Sequence, residues 1–295
     1  MDKVLVIIVT YNAHDWIHQC LNSVDMERYD AFVVDNASTD DTRYILKTEY
    51  PKAIVRLMDK NLGFGQANNI GLRYALDNGY DYVFLLNQDA WLLPDTIDKL
   101  IATQKQHPEY WVLSPLQRHT QRGGLERYFE YLCKKNKVNI NSGKLEHIKF
   151  VNAALWLLPI RTIQVVGGFD SLFPHYGEDN DYICRVHYWE GNVGVCTKSV
   201  AYHEHVWTNK AFTFEQQLYR KKIGYLGLWK DINRSQFFGK LICLFTLYRK
   251  TAKCLFKKDY FEIRLCWLAW LDVTKQKEQI KRQRELSKNQ QAFLR

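Results

Sequence analysis

Four short apolar runs, each ending in polar residues, alternate with helix-like segments over residues 3–89. In chain order the runs are KVLVIIVTYN, DAFVVDNAS, AIVRLMD and DYVFLLNQD. The segment after the first run carries apolar residues at helical spacing, namely Trp16, Ile17, Cys20, Leu21 and Val24. Near-continuous apolar strands joined by helices are typical of parallel sheets covered on both faces. The pattern therefore predicts an α/β fold with a mainly parallel central sheet flanked by helices.

The polar ends of these strands form the first candidate site, because ligands of such sheets bind outside the carboxyl ends of the strands. The ends read Thr10 to Asn12, Asp35 to Ser38, Asn61 to Gly65 and Asn87 to Asp89. Asp35 and Asp89 at one edge repel each other unless a cation intervenes. A phosphate ligand facing them would need a divalent metal, so the expected cofactor is Mn²⁺ or Mg²⁺. The alternative is that Asp89 only caps the following turn.

The remaining segments complete the predicted order of elements. STDDTRYILKTEY predicts a helix capped by Ser38 or Thr39. Residues 115–150 are polar and basic and predict a variable loop or a short helix, whereas FVNAALWLLPI predicts another apolar strand. A helix is expected to begin near Glu178, and NVGVCTKSVAYHEH predicts a last strand. We therefore expect an α/β domain over residues 1–210 and a basic helical region over residues 211–295.

Two later motifs carry groups that can do chemistry. GEDND places Glu178, Asp179 and Asp181 at the expected start of a helix, after a loop rich in glycine and aromatic residues. Such a loop can present a carboxylate at a pocket mouth as a general base, although acids are also common in a first helical turn for electrostatic reasons. HEH places His203 and His205 on one face of the last strand, where they are either structural residues or metal ligands.

Composition excludes several classes of protein. The N-terminal apolar run, Val4 to Val9, is too short for a secretory signal or a spanning helix, so we expect a cytoplasmic protein. The seven cysteines form no C-x-x-C pair, which argues against a zinc site or a disulfide framework. The chain contains no P-loop and no G-x-S-x-G elbow, and GFGQAN matches the dinucleotide fingerprint only in part.

The positive charge belongs to the C-terminal helices. Residues 211–295 contain 19 basic and 7 acidic residues, whereas residues 1–210 contain 22 basic and 25 acidic ones. Basic helices with interleaved aromatic residues are typical of contact with an anionic membrane surface, here the inner face of the cytoplasmic membrane. The alternative is that they pack on the α/β domain, or on a second subunit in a homodimer. We expect no nucleic-acid partner.

Six motifs in order identify a resemblance to a known family. VTYN, VVDNASTDDT, NLGFGQANNIGL, LLNQDAWLLPD, GGFDSLFPHYGEDNDYICR and AYHEH resemble the inverting family 2 glycosyltransferases of the GT-A fold, and the rhamnosyltransferase-like branch above all. The resemblance covers roughly residues 1–205. It implies that residues up to about 115 bind a nucleotide-sugar and that residues from about 150 to 210 form the acceptor side.

The resemblance implies a role for each matching position. Tyr11 would stack on the base, Asp35 would bind the base or ribose, Asp89 and His203 would ligate the metal, Asp179 would be the general base with Glu178 and Asp181 in support, and His205 has a weaker claim to the metal. The other nucleotide-sugar contacts would be Thr10, Asn12, Asn36, Asn61, Gly63, Phe64, Gly65, Asn87 and Gln88. Asn152, Ala153 and Trp156 would line the acceptor pocket, with Trp156 as an apolar platform for a sugar face. Asn87 stands where the family's Asp-x-Asp motif has its first aspartate, so the metal has one acidic ligand fewer.

The resemblance also implies partners and a reaction. The donor would be a UDP- or dTDP-linked sugar, and the acceptor a sugar or lipid-linked oligosaccharide in bacterial surface polysaccharide synthesis (O-antigen or capsule). Two rival hypotheses come from other classes. A nucleotidyltransferase also uses a parallel sheet and metal-binding carboxylates, but TYNAHDW follows the first strand where that class has a glycine-rich loop with Lys or Arg. A non-enzymatic membrane- or nucleic-acid-binding module would explain the charge alone.

Overall fold

The computed structural model describes residues 2–204 and 211–294, and in them ten strands form one sheet. The strands are β1 Val4–Thr10, β2 Asp30–Asp35, β3 Ile54–Leu57, β4 Tyr82–Asn87, β5 Ala90–Leu92, β6 Tyr110–His119, β7 Gly124–Leu125, β8 Leu145–His147, β9 Leu155–Pro159 and β10 Asn192–His203. The helices are α1 Ile17–Asn22, α2 Thr42–Glu49, α3 Phe64–Asp77, α4 Thr96–Gln106, α5 Arg127–Asn136, α6 Ile160–Val166, α7 Glu178–Tyr188, α8 Phe214–Lys230, α9 Gln236–Phe256, α10 Tyr260–Lys275 and α11 Lys277–Leu286.

The sheet combines a parallel half with a mixed half. Its main path runs β3-β2-β1-β4-β9-β6-β10-β5. The first four strands of this path are parallel, as predicted, but β9 runs antiparallel to β4 and β6. The antiparallel direction brings the start of β9 to the edge where β1, β2 and β4 end, and the backbone N–H of Asn87 donates to the carbonyl of Ala154 over 3.0 Å.

Alternation along β1 explains the two apolar layers. Leu5 and Ile7 belong to the cluster on one face of the sheet, and Val6 and Ile8 to the cluster on the other. Successive side chains of a strand point to opposite faces, so a strand that is apolar at every position must be covered on both. The predicted α/β fold, with a central sheet flanked by helices, is confirmed.

The C-terminal helices pack on the α/β part of the chain. Leu172 and Phe173 share a buried cluster with Leu226, Trp229 and other residues of α8 to α10. The Lys230 ammonium at the end of α8 is buried, lies 3.0 Å from Asp170 and also pairs with Asp181. Of the two alternatives for the C-terminal helices, packing on the α/β part of the chain is the one observed for α8. No helix within residues 2–204 and 211–294 combines the length and apolar character needed to cross a bilayer.

The start of α2 differs from the prediction. The helix begins at Thr42 rather than after Ser38 or Thr39, because those two residues are used by the loop that follows β1. The Ser38 hydroxyl accepts from the backbone N–H of Asn12, and the N–H of Thr39 donates to the Asn12 side chain. The polar excursion over residues 115–150 contains the end of β6, the whole of β7 and β8, and helix α5. All seven cysteines lie in the described residues and are free thiols there.

Candidate functional site

A cavity of about 540 Å³ opens at the predicted edge of the sheet. Its walls come from seven separate stretches of the chain. The strand ends and the loop before β9 contribute Phe64, Asn87, Asn152, Ala153, Ala154 and His203. The start of α7 contributes Gly177, Glu178, Asp179 and Asn180, and the rest comes from residues 126–128, 175–176 and 220–224. The fold thus brings together seven of the residues singled out in the sequence.

Asp89 and His203 meet through the pairing of β5 with β10. The antiparallel register places His203 opposite Ala90, and the N–H of Glu204 donates to the Asp89 carbonyl over 2.9 Å. The Asp89 Oδ1 then lies 3.5 Å from His203 Nε2. Burial alone would lower the pKa of His203, but the Asp89 carboxylate raises it above the ordinary value. Asp89 therefore lies in the turn immediately before β5, where it faces a histidine, and the next helix, α4, begins only at Thr96. His205 lies outside the described residues.

This pair suits a divalent cation by the chemistry of its donors. Mg²⁺ and Mn²⁺ are commonly held by one or two protein side chains while substrate phosphates and water complete the shell. Asp89 supplies a carboxylate and His203 an imidazole. In the part of the chain that the structure describes, no group of three or more His, Cys, Asp and Glu side chains is arranged to hold a metal. The residues present thus fit a metal that is completed by a phosphorylated ligand.

Helix α7 begins at the cavity, as predicted, and its first turn presents two carboxylates. Gly177 precedes it with a φ of 87°, and a Cβ there would approach the Ile223 side chain to 2.6 Å. Burial raises the pKa of Glu178 to about 8, helped by the negative charge of Asp179. Burial also raises the pKa of Asp179, although the N–H groups of Asn180 and Ala153 oppose the shift. Carboxyl groups with raised pKa values in a cavity can accept a proton near neutral pH.

Asp181 does not reach the cavity, which corrects the expectation that it supports catalysis. Its carboxylate is buried between two cations, with Arg185 Nε at 2.9 Å and Lys230 Nζ in close contact. Burial alone would raise the pKa of Asp181, but these two cations hold it below the ordinary value. The third acid of GEDND therefore ties α7 to α8.

Asp35 is also withdrawn from the cleft, which corrects its expected contact with base or ribose. The residue is fully buried, and its carboxylate accepts from Arg43 Nε at 2.6 Å, the Ser38 N–H at 3.1 Å and the Thr10 hydroxyl at 3.3 Å. Arg43 is thus the cation that makes a buried carboxylate tolerable here. The repulsion argument for a metal between Asp35 and Asp89 is wrong, because Asp35 is already neutralised. Thr10, likewise fully buried, supports the loop from within.

The other predicted nucleotide-side residues form the loops around that edge. Tyr11 is 46% exposed, and the Gln88 side chain exchanges hydrogen bonds with its backbone N–H and carbonyl. The Asn36 side chain donates to Asn61 over 2.9 Å. Asn12 has a φ of 50° and is exposed. Among these residues, Tyr11 presents an exposed ring to solvent, whereas the side-chain amides of Gln88, Asn36 and Asn61 hold the loops together.

The glycines of NLGFG allow close packing against the loop before α7. Gly63 has a φ of 79°, and a Cβ there would lie 2.0 Å from the Pro174 carbonyl oxygen. A Cβ on Gly65 would lie 2.7 Å from Phe169 and 3.5 Å from Glu178. Phe64 itself lines the cavity. These positions bring the two halves of the site together.

Trp156 lies in the core, which corrects its expected role as a sugar platform. It is fully buried in β9, where it stacks with Phe169 at 6.3 Å between ring centroids and also contacts Tyr182. Every residue of β9 is buried, because helices cover both faces of this central strand. Asn152 and Ala153, just before the strand, do line the cavity.

Buried amide oxygens mark where a ligand could bind. Asn87 Oδ1 and Asn152 Oδ1 are both shielded from solvent and have no hydrogen-bond partner within the described residues. Buried acceptors of this kind are uncommon unless a ligand or water supplies a donor. Both asparagines line the cavity, so its floor offers acceptors for hydroxyl groups.

Sequence reasoning missed the lining residues that come from outside the motifs. They are Glu126, Tyr128, His175, Tyr176, Arg220, Ile223 and Gly224. The last three lie on α8, in the basic helical region that the sequence places outside the α/β domain from residue 211 onward. A signal for His175 and Tyr176 was present in FPHYG, the loop leading into GEDND. No local pattern distinguishes Arg220 from its basic neighbours.

The comparisons with known proteins agree with this arrangement. The model of the family described as glycosyl transferase family 2 matches residues 5–158, just over half of the 295 residues. Glycosyltransferase GlyA of Streptococcus pneumoniae is 31% identical over 104 residues, a match that covers 34% of this chain and 14% of that protein. The chain therefore spans only about a seventh of this curated relative.

Solved structures show the same fold at low sequence identity. S. aureus TarS in complex with UDP superposes with a TM-score of 0.55 at 16% identity, over 80% of this chain and 68% of that one. The mannosyltransferase PcManGT from Pyrobaculum calidifontis, in complex with GDP-Man and Mn²⁺, gives a TM-score of 0.58 at 16% identity, over 92% and 75%. With the family match over more than half of its length and the fold of these neighbours, the chain belongs to glycosyl transferase family 2 and has the GT-A fold.

Proposed function

We propose that this protein transfers a sugar from a nucleotide-diphosphate sugar to an acceptor hydroxyl, with inversion at the anomeric carbon. The observation that carries the proposal is one cavity that holds His203, the partner of Asp89, together with the carboxylate of Asp179. A general base and a candidate diphosphate-binding pair thus face the same space. Family membership supports the reaction class, and no observation favours the rival hypotheses of a nucleotidyltransferase or a non-enzymatic module.

The reaction follows from the charge of each group. Asp179 accepts the proton of the acceptor hydroxyl while that oxygen forms a bond to the anomeric carbon. The bond from the anomeric carbon to the diphosphate oxygen breaks on the opposite side, and its electron pair leaves with the nucleoside diphosphate. Attack from the far side inverts the configuration. Asn87 and Asn152 supply acceptors for sugar or ribose hydroxyls, and Tyr11 supplies an exposed ring for the base.

Asp89 and His203 are proposed to hold Mn²⁺ or Mg²⁺. When bound, the metal neutralises the charge that develops on the departing diphosphate. The Mn²⁺ in the PcManGT complex supports this part of the proposal. Glu178, whose pKa of about 8 keeps it protonated at neutral pH, can donate a hydrogen bond to the substrate.

The donor is proposed to be a UDP- or dTDP-linked hexose or rhamnose, in keeping with the resemblance to the rhamnosyltransferase-like branch. The neighbours were solved with UDP and with GDP-Man, which supports a nucleotide-sugar and leaves the base open. A role in bacterial surface polysaccharide synthesis and a cytoplasmic location belong to the same proposal.

A donor screen tests the reaction. Thermal shifts are measured with UDP-, dTDP- and GDP-linked sugars, each with and without Mn²⁺, because a ligand that binds the folded state raises its apparent stability. The donor that shifts the transition is then assayed for nucleotide release, and the anomeric proton of the product is followed by NMR. Mn²⁺-dependent binding and an inverted product are expected. If no nucleotide-sugar binds, or if the configuration is retained, the proposal fails.

Helix α9 supports the further proposal that the protein rests on an anionic membrane. Its buried face, which includes Cys243 and Leu247, packs on the neighbouring helices, yet its opposite face is also apolar. That face carries Phe237, Leu241, Phe245 and Tyr248 at helical spacing, and Phe245 is 69% exposed. The helix has four basic residues and no acidic one. Exposed aromatic rings flanked by basic residues match the boundary of an anionic bilayer.

Vesicle flotation tests this surface. The wild type is expected to float with phosphatidylglycerol vesicles and much less with pure phosphatidylcholine, and the variant Phe237→Ser/Phe245→Ser is expected to lose flotation. Tyr44→Ser is the control, because Tyr44 is 68% exposed on α2, away from this helix. Equal flotation of the double variant and the control would refute membrane contact through α9.

A further inference from the structure

A second cavity of about 310 Å³ lies between α8 and α9, beside the proposed active site. Three basic side chains line it, Arg220 and Lys221 from α8 and Lys250 from α9, and no acidic residue does. Gln217 and Thr246 add polar groups to the wall. The proposed reaction takes place in the first cavity, at the sheet edge, and gives the second cavity no role. The positive charge of the second cavity therefore needs a separate explanation.

Two of these cations lack a carboxylate partner among residues 2–204 and 211–294. Lys221 pairs with Glu262, which cancels its charge. By contrast, no carboxylate within the described ranges lies within 4.0 Å of Arg220 or Lys250 in an ion pair. The Arg220 guanidinium is held over the Phe212 ring, 4.5 Å from its centroid, which fixes its position without neutralising it. The cavity thus keeps an uncompensated charge of about two, the charge that a phosphoryl group would balance.

The second cavity adjoins the first through two shared wall residues. Arg220 and Gly224 line both cavities, and the Arg220 guanidinium lies 5.8 Å from the ring centroid of Tyr176, in the loop that leads into α7. A molecule with its anionic group at Arg220 and Lys250 could therefore extend toward Asp179. The diphosphate of the donor is assigned to Asp89 and His203, so a second anionic group belongs to the other substrate.

We propose that the cavity between α8 and α9 binds the phosphoryl group of a phosphorylated acceptor through Arg220 and Lys250. The acceptor is then a sugar phosphate or sugar diphosphate, either soluble or carried on a lipid. This inference rests on the proposed function, since it names the acceptor class of the same reaction. The apolar wall formed by Phe212, Tyr225 and Leu228 suits the carbon chain or sugar that is esterified to the phosphoryl group.

Anion binding to the full chain tests the site without a known acceptor. Inorganic pyrophosphate and farnesyl diphosphate are titrated in vesicle-free buffer containing EDTA, so that no metal recruits them to Asp89 and His203. Arg220→Gln/Lys250→Gln is compared with the control Lys240→Gln/Lys253→Gln, which removes the same charge from α9 positions that do not line the cavity. We expect at least about tenfold weaker binding in the first variant and unchanged binding in the control.

The outcomes separate the two sources of phosphate and the two proposals. Tighter binding of farnesyl diphosphate than of pyrophosphate supports a lipid-linked acceptor, and equal binding supports a soluble one. Equal affinity of both double variants, or no anion binding by the wild type, overturns the inference. Nucleotide binding with Mn²⁺ is measured on the same samples. It should be unchanged in Lys250→Gln, because Lys250 lines only the second cavity, and a retained cooperative thermal transition shows that Arg220→Gln/Lys250→Gln is folded. Absence of nucleotide binding in the wild type would count against the proposed function alone.

Discussion

The carboxylate of Asp89 lies 3.5 Å from the imidazole of His203, although 113 residues separate them in the chain. If this pair holds the metal, Asp89→Asn and His203→Gln will each remove the Mn²⁺-dependent part of the thermal shift caused by a nucleotide. Chelation of the wild type with EDTA should have the same effect. The control is Asp95→Asn, an exposed carboxylate that pairs with Lys99 on α4. A Mn²⁺ response that survives in both variants would refute the assignment.

Glu178 should make stability depend on pH in a defined direction. Its pKa is raised from 4.5 to about 8 in the folded chain, so between these values the folded state keeps a proton that the unfolded state has lost. The contribution of Glu178 to the free energy of unfolding is therefore fully present below about pH 4.5. It is lost as the pH rises to about 8, by at most about 1.4 kcal/mol per pH unit.

Glu178→Gln lacks this titration, which gives a direct measurement. The difference in melting temperature, variant minus wild type, should grow from pH 5 to pH 8. A difference that stays constant across this range would show that Glu178 ionises normally. Because the pKa of Asp179 is also raised, activity that needs its carboxylate should increase with pH above the ordinary range of carboxyl groups.

Gly63 and Gly79 offer a matched pair for the loop that shapes the cavity. Both have positive φ, but a Cβ on Gly63 meets the Pro174 carbonyl at 2.0 Å, whereas a Cβ on Gly79 meets nothing within 4 Å. Gly79→Ala should cost only backbone strain of about 1–3 kcal/mol. Gly63→Ala should cost more and should also weaken nucleotide-sugar binding, since the loop before α7 must move. Equal destabilisation in chemical denaturation would contradict this account.

Lys230 is predicted to hold the C-terminal helices to the α/β part of the chain. It is buried with Asp170 and Asp181, so Lys230→Met leaves Asp170 without its cation and leaves Asp181 with Arg185 alone. The expected loss of unfolding free energy is about 3–5 kcal/mol. Lys288→Met, at a largely solvated pair with Glu285, should cost no more than about 1 kcal/mol. Similar losses for the two variants would show that the buried network contributes little.

The local pattern of the sequence predicted the main strands and helices, and the resemblance and the strand ends together named seven of the residues that line the cavity. Strand ends such as Asn87 and helix starts such as Glu178 were found because apolar periodicity and turn residues are encoded within a few positions. Asp89 and His203 were assigned to one metal by resemblance. Their contact depends on β5, a strand of three residues that pairs with β10 and is too short to give a periodic signal.

Long-range packing explains the residues that were misassigned. Asp35 was expected to face a ligand, but Arg43 from the following helix neutralises it. Trp156 was expected to face a sugar, but a central strand covered on both sides leaves no open position. Arg220 was missed because only the docking of α8 brings it to the cavity. In each case the deciding partner lies on another element, which a local pattern does not reveal.

Transfer kinetics of Asp179→Asn test the central claim most directly, once the donor screen has given a substrate. With Asp179 as the base, the variant should bind the donor as the wild type does but lose about 10² to 10⁴-fold in kcat. Glu178→Gln, the same change one position earlier in the same helical turn, should lose much less. A kcat for Asp179→Asn within tenfold of the wild type, or a larger loss in Glu178→Gln, would contradict the account.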